Sequence, residues 1–210
     1  MKDDVDRARM ARFIMTLRAR GIRDQRILNA FERVSRESYL PGPLEAYAYE
    51  DWLLPLPCGQ SIESPFALAY LLEHLSVTTA MKVLEVGTGS GYGTALLARL
   101  CRRIHSVERV RELYEGAARR IAGERLSNVE LVHDDALSRR VGAGFDRIVV
   151  HGALDTPPQI LIDQLAPGGV MLIVVDGLLT QIERRTGEGA YRTISPYAAQ
   201  PLQRGRATFS

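Results

Sequence analysis

The sequence predicts an α/β protein: a mostly parallel sheet with helices on both faces, preceded by a helical N-terminal extension. Three observations predict it. From Met81 onward, short β-rich runs alternate with helical stretches, the pattern of a parallel sheet joined by crossover helices. The first of those strands, 82–86, runs straight into Gly87, Gly89 and Gly91. The first 40 residues carry helical periodicity and no strand pattern.

Val5, Met10, Phe13, Ile14 and Leu17 recur at roughly helical spacing, and Gly21 stops the run. Asp24 is placed to cap a second helix carrying Ile27, Leu28, Phe31 and Val34. Pro41, Pro43, Pro55 and Pro57 then punctuate a stretch without long helices. A third helix starts with Ser64 as N-cap and Pro65 in its first position. Beyond it the pattern predicts strand 82–86, helix 94–102, strand 104–107, helix 110–122 and strands 129–132 and 146–150. Helix 157–166 and strand 170–175 follow. The runs 181–186 and 190–194, around Gly187 and Gly189, predict an antiparallel hairpin at the end of the sheet.

Composition narrows the function. With 210 residues, 46% hydrophobic and 25% charged, the chain can bury one core of normal size and is not a disordered class. A net charge of +2 from 27 basic and 25 acidic residues gives no electrostatic argument for nucleic acid or a membrane surface. Cys58 and Cys101 are the only cysteines, which excludes a disulfide scaffold. They show no metal-type spacing with His74, His105, His133 or His151, so no metal is expected. No apolar run approaches the roughly 20 residues that span a bilayer. The N-terminus mixes acids and bases without an apolar stretch, so it does not read as a secretory signal. The expectation is a soluble cytoplasmic protein. Met10, Phe13 and Ile14 form an apolar stripe expected to pack on their own domain, giving a monomer or at most a weak homodimer.

The strongest chemical signal is Glu85-Val86-Gly87-Thr88-Gly89-Ser90-Gly91. A strand running through glycines into a helix brings backbone against a ligand. The dinucleotide pattern fails, because the sixth position is Tyr92 counted from Gly87 and Thr94 counted from Gly89. The phosphate-loop pattern fails because no Lys follows the glycines. Taken alone, such a loop can also be a tight strand–helix turn with no ligand. What remains, acidic-x-Gly-x-Gly-x-Gly, resembles the first motif of class I methyltransferases, which bind S-adenosylmethionine. That ligand has no pyrophosphate, so the loop need only lie flat against ribose and methionine, where a Cβ would collide. Glu85 is placed to meet the ligand's ammonium group, directly or through water. Glu108, at the end of the second strand, is placed to accept from both ribose hydroxyls. After the third strand come Asp134 and Asp135; by family position Asp135 accepts from the adenine amino group.

Upstream, Gly59-Gln60-Ser61-Ile62-Glu63-Ser64-Pro65 resembles the G-Q-T-I-S-x-P segment of protein-L-isoaspartate O-methyltransferases. The resemblance continues in residues 83–92, in Ser106-Val107-Glu108-Arg109, in Phe145-Asp146-Arg147-Ile148-Val149-Val150 and in Leu165-Ala166-Pro167-Gly168-Gly169. It implies a class I, Rossmann-like fold, with residues 1–78 as extension and acceptor-pocket segment and residues 79–210 as cofactor-binding core. It implies a cofactor site of Glu85, Gly87, Thr88, Gly89, Ser90 and Gly91, completed by Glu108, Arg109, Asp134 and Asp135. It further implies methyl transfer to the free α-carboxylate of an L-isoaspartyl residue in a damaged protein or peptide. A carboxylate is already a competent nucleophile, so such a site needs positioning and desolvation more than a base.

Three departures fall where the resemblance places the acceptor. Glu63 stands in place of the family serine. A hydroxyl donates to a carboxylate, whereas an ionised Glu repels it. The segment after the fourth strand reads His151-Gly152-Ala153-Leu154-Asp155, adding an imidazole and an acid. The tail Ile194-Ser195-Pro196-Tyr197 resembles the family's F-V-P ending only loosely. Glu63 therefore has two readings. It turns to solvent or pairs with an Arg, and isoaspartyl activity survives; or, with His151, it faces a different acceptor as a general base. His151 alone reads as either structural or catalytic. Ser61, matching the family Thr, belongs to the acceptor pocket, while Tyr92 and Phe66 read as packing residues. The alternatives to isoaspartyl transfer are a small-molecule or other side-chain acceptor, or a cofactor-binding homologue without catalysis.

Overall fold

A computed structural model of the chain describes residues 2–185 and 189–208, with side chains from residue 8 onward. The side chain of Val5, and Thr186 and Gly187, therefore lie outside what is described.

The chain opens with α1 (Lys2–Ala19) and α2 (Gln25–Arg33). Gly21 ends α1 with φ +105. Asp24 caps α2 by accepting from the Arg26 amide at 2.8 Å, satisfying one of the helix's orphan donors. Two 3-10 turns follow, and then a small antiparallel ribbon of β1 (Leu54–Pro55) and β2 (Ser61–Ile62). Helix α3 (Pro65–Leu75) begins as its sequence dictates, with Ser64 Oγ accepting from the Ala67 amide at 3.3 Å and Pro65 in the first turn.

The main sheet contains β3 (Lys82–Val86), β4 (Arg103–Glu108), β5 (Val129–His133), β6 (Phe145–Leu154), β7 (Leu165–Val175), β8 (Leu178–Glu183) and β9 (Ala190–Pro196). Their order is β5-β4-β3-β6-β7-β8-β9. All neighbours from β5 to β7 are parallel, while β7–β8 and β8–β9 are antiparallel. The expected hairpin is thus present at the sheet edge. The chain steps outward from β3 to β5 and returns beside β3 with β6, so the strand order reverses between β3 and β6. Ligands bind beyond the carboxyl ends of the strands at such a point.

Alternate strand residues divide between two apolar layers. Val83, Val149 and Leu172 join α1, α2, α3, α4 (Tyr92–Ala98) and α5 (Arg111–Gly123) in one. Leu84, Ile148 and Met171 join Leu161 and Ile162 of α6 (Gln159–Ile162) in the other. This period-two partition is what a strand buried on both faces produces. Phe13 and Ile14 are buried in the first layer, with the Phe13 ring 6.0 Å from Phe31 and 5.3 Å from Tyr49. The stripe on α1 packs on its own domain.

The expected helix 157–166 is corrected to the single turn of α6. Pro157 and Pro158 bias the residues before them away from helix, and β7 already begins at Leu165. Strand β6 runs four residues past its expected end at Val150, through a register shift between Val149 and Ala153. Gly152, a strand breaker by composition, hides that continuation.

Candidate active site

The glycine loop lies where β3 ends. Gly87, with φ +96, turns the chain while its amide donates to the Val107 carbonyl at 2.9 Å. A Cβ at Gly87 would sit 3.3 Å from the His151 Cβ, so only glycine combines this conformation with this approach. At the end of β4, Glu108 Oε2 accepts from the Gly89 amide and Oε1 from the Val110 amide, each at 2.9 Å. Burial pushes the Glu108 carboxyl above its ordinary value, against the pull of those amides.

A cavity opens beyond these strand ends. Gly87, Thr88, Gly89, Ser90 and Glu108 line it together with Ser61, Glu63, Glu85 and His151. Residues 198–202 complete the lining. The cofactor half and the acceptor half expected from the sequence therefore meet in one space. Gly91 shapes the loop without lining the cavity: its amide donates to the Thr88 carbonyl at 2.9 Å as α4 begins.

Glu85 is nearly sealed, its side chain only 1% exposed. One oxygen accepts from the Thr94 hydroxyl and, at 2.6 Å, from Ser106 Oγ. The other lies 3.1 Å from His151 Nε2. Little of Glu85 remains to meet an ammonium group directly.

Glu63 neither turns to solvent nor pairs with an arginine side chain. Its Oε1 is 2.8 Å from His151 Nδ1, while its backbone carbonyl accepts from the buried Arg36 at 2.9 Å. His151 thus bridges Glu63 and Glu85. Burial alone would lower its pKa, but the two carboxylates overcome that and hold it well above the ordinary histidine value. Burial likewise opposes ionisation of Glu63, and His151 reverses this, leaving its pKa below the ordinary glutamate value. An imidazolium has no lone pair with which to take a proton, so this arrangement does not make His151 a general base.

Asp134, Asp135 and Arg109 stand away from the cavity lining. Asp135 accepts from the Leu137 amide at 2.9 Å, the Gly205 amide at 2.7 Å and the Ser138 hydroxyl. Asp134 accepts from Arg206 at 3.0 Å. Arg109 donates to Gln203 at 2.7 Å and to the Gly205 carbonyl at 3.0 Å. These three residues, expected to bind the cofactor, with Asp135 at the adenine amino group, are thus bonded to the C-terminal segment. That segment is also tied to β6, where the Ala153 amide donates to the Gln200 carbonyl and the Leu202 amide to the Ala153 carbonyl.

Comparison with known proteins decides the family. The family model for protein-L-isoaspartate(D-aspartate) O-methyltransferase matches residues 8–197. The chain belongs to this family. As a member it is an S-adenosylmethionine-dependent methyltransferase. A protein-L-isoaspartate O-methyltransferase of Parvibaculum lavamentivorans is 45% identical over 203 residues, covering 92% of this chain and 91% of that one. One of Paracoccus denitrificans is 41% identical over 196 residues, covering 91% of each. Among solved structures, a protein-L-isoaspartate O-methyltransferase from Plasmodium falciparum, in complex with S-adenosyl-L-homocysteine, superposes with a TM-score of 0.81. It is 22% identical and covers 91% of this chain and 96% of that one, a likeness of fold.

Sequence reasoning missed several residues of this methyltransferase's site. Thr94 and Ser106 hold Glu85, and Thr88 Oγ1 lies 2.6 Å from Ser106 Oγ. Their signal was a hydroxyl inside an otherwise apolar strand or helix, which in a buried setting calls for a polar partner. Residues 198–202, which also line the cavity, carried no such signal. Tyr92 is a packing residue, edge-on to Phe31 at 6.0 Å. Phe66, half-buried, lies under the Arg20 guanidinium at 3.6 Å. Burial, with the Glu112 and Glu108 carboxylates, pushes the Cys58 thiol up, so nothing activates it as a nucleophile. Among the described residues there is no group of three or more His, Cys, Asp or Glu able to hold a metal ion. None of the helices is long and apolar enough to cross a membrane.

Proposed function

We propose that this methyltransferase acts on the free α-carboxylate of L-isoaspartyl residues in peptides and proteins. One observation carries the reading: the glycine loop and Glu108 share a cavity with Ser61, Glu63 and His151. The residues expected to hold the cofactor and those expected to hold the acceptor therefore share one space.

The cofactor wall suits S-adenosylmethionine. Gly87 turns the loop with φ +96, where a Cβ would crowd His151 at 3.3 Å, and Glu108 retains acceptor capacity for ribose hydroxyls beyond the two amides it holds. When bound, the cofactor supplies an electrophilic methyl group on a sulfonium centre, which becomes a thioether as the acceptor oxygen takes the methyl. The chain's own residues position the acceptor and exclude water. Ser61 offers a hydroxyl in the acceptor part of the cavity, and residues 198–202 add to its lining. No residue need remove a proton, because a carboxylate acceptor carries none at neutral pH.

A second reading, a small-molecule acceptor, is favoured by one feature: Glu63 adds a carboxylate where the family resemblance implies a hydroxyl. We place the protein in a reducing cytoplasm, supported by the two free cysteines, and read it as a monomer, supported by burial of the α1 stripe. The test is S-adenosylhomocysteine release with an isoaspartyl peptide, its normal aspartyl twin and a small-molecule panel. Turnover confined to the isoaspartyl peptide supports the proposal. Turnover confined to a small molecule replaces it.

A further inference from the structure

We propose that Glu63 and His151 act as one electrically neutral unit in the acceptor wall. The imidazolium of His151 cancels the charge that Glu63 brings, and this cancellation lets a carboxylate acceptor bind. The proposal rests on the isoaspartyl reading above and gives it a specificity device.

The geometry is reciprocal. His151 Nδ1 lies 2.8 Å from Glu63 Oε1, and Nε2 lies 3.1 Å from Glu85 Oε1. An ionised carboxylate only accepts hydrogen bonds, so with both carboxyl groups ionised both ring nitrogens must be donors. Only the imidazolium has two. The His151 side chain is 9% exposed and that of Glu63 25%, so Glu63 is the member that presents charge to the cavity.

Charged and titratable groups surround the pair from several elements. Glu85 from β3 lies on the far side of the ring. Arg36, from the turn after α2, binds the Glu63 carbonyl at 2.9 Å and also the carbonyls of Ala48 and Trp52. Asp51, nearby, is taken by Arg20. Tyr197, beyond β9, is a phenol whose pKa is raised by burial and by Glu63. Glu63, Glu85, His151 and Arg36 thus contribute two charges of each sign. Removing the charge of His151 leaves the local balance negative, where a negative acceptor must enter. Like charges at this range in a partly buried site are worth a tenfold or larger effect on binding.

His151 is on this account a positioning residue whose importance to the acceptor depends on Glu63. The test uses the full-length wild type, H151N, E63Q and the double variant E63Q/H151N. Asn keeps a donor towards Glu63 without the charge. In wild-type background, H151N is expected to raise KM for an isoaspartyl peptide about tenfold or more with a smaller change in kcat. In the E63Q background the same change is expected to cost less than about threefold. Wild-type KM is expected to climb at alkaline pH as the imidazolium is lost, and the double variant's to stay flat. Cofactor affinity by calorimetry separates any effect through Glu85. Without any acceptor, nitrogen-15 shifts of the His151 ring, assigned by their loss in H151N, are expected to show both nitrogens protonated above pH 7. An active wild type whose H151N penalty is the same with and without Glu63 overturns the pair alone. So does a His151 ring that is neutral at pH 7. An inactive wild type that still binds cofactor and shows the doubly protonated ring overturns the isoaspartyl reading, and the pair's role in it.

Discussion

Glu108 Oε2 accepts from the Gly89 amide at 2.9 Å, so the carboxylate that ends β4 fastens the glycine loop that follows β3. With its other oxygen on the Val110 amide, Glu108 joins the loop to the head of α5. Its replacement therefore disturbs two backbone donors and the cofactor wall together. Glu108→Ala is expected to lower stability by about 1–3 kcal/mol, the cost of leaving buried donors unpaired, and to weaken S-adenosylmethionine binding at least tenfold. Chemical denaturation and calorimetry measure the two effects. Unchanged cofactor affinity would remove Glu108 from the cofactor wall.

Gly87→Ala tests the cradle. Its φ of +96 strains any L side chain, and the new Cβ meets the His151 Cβ at 3.3 Å. The expected cost is about 1–3 kcal/mol, read as a lower melting temperature, together with loss of measurable cofactor binding. Retained binding at wild-type affinity would mean that the loop does not lie against the ligand.

Arg36 is completely buried and donates only to backbone carbonyls, those of Ala48, Trp52 and Glu63. It ties the irregular segment 48–63 to the helical extension. Arg36→Met keeps most of the volume but orphans those carbonyls. A loss of about 2–4 kcal/mol is expected from the unsatisfied acceptors, read from urea midpoints. A loss under about 0.5 kcal/mol would show that water replaces the guanidinium.

Stability should depend on acid through Asp134 and Asp135. Burial opposes their ionisation. The amides and Ser138 around them, with Arg206 and Arg139, outweigh that and hold both carboxyls below their ordinary value. A lowered folded-state pKa gives stability that is present above the ordinary aspartate value and is lost as pH falls through the folded one. Urea midpoints of the wild type are expected to drop below about pH 4, with a shallower drop for Asp135→Asn. The same rule has the opposite sign for His151. Its raised value gives stability that is full below the ordinary histidine value and is lost as pH climbs through the folded one. The wild type is expected to lose stability at alkaline pH relative to H151N.

The helix starts and the glycine turn were legible in the sequence because their signals are local. Asp24 and Ser64 announce helix starts within three residues, and the run from Glu85 to Gly91 announces a tight turn from strand into helix. What stayed hidden is non-local. Glu63 and His151 are 88 positions apart, and no spacing rule couples them; each read separately as a departure of open meaning. Asp135 and Gly205 are 70 apart, so the bonding of the acids after β5 to the C-terminal segment could not be read from spacing. The helix expected at 157–166 failed for a local reason. Its apolar spacing was right, but Pro157 and Pro158 at its start left room for a single turn.

The central claim is methyl transfer to an isoaspartyl carboxylate. S-adenosylhomocysteine release measured with an isoaspartyl peptide, its normal aspartyl twin and a blank without acceptor tests it most directly. Release with the isoaspartyl peptide alone is the predicted result. No release above the blank, from protein shown by calorimetry to bind S-adenosylmethionine, would contradict it.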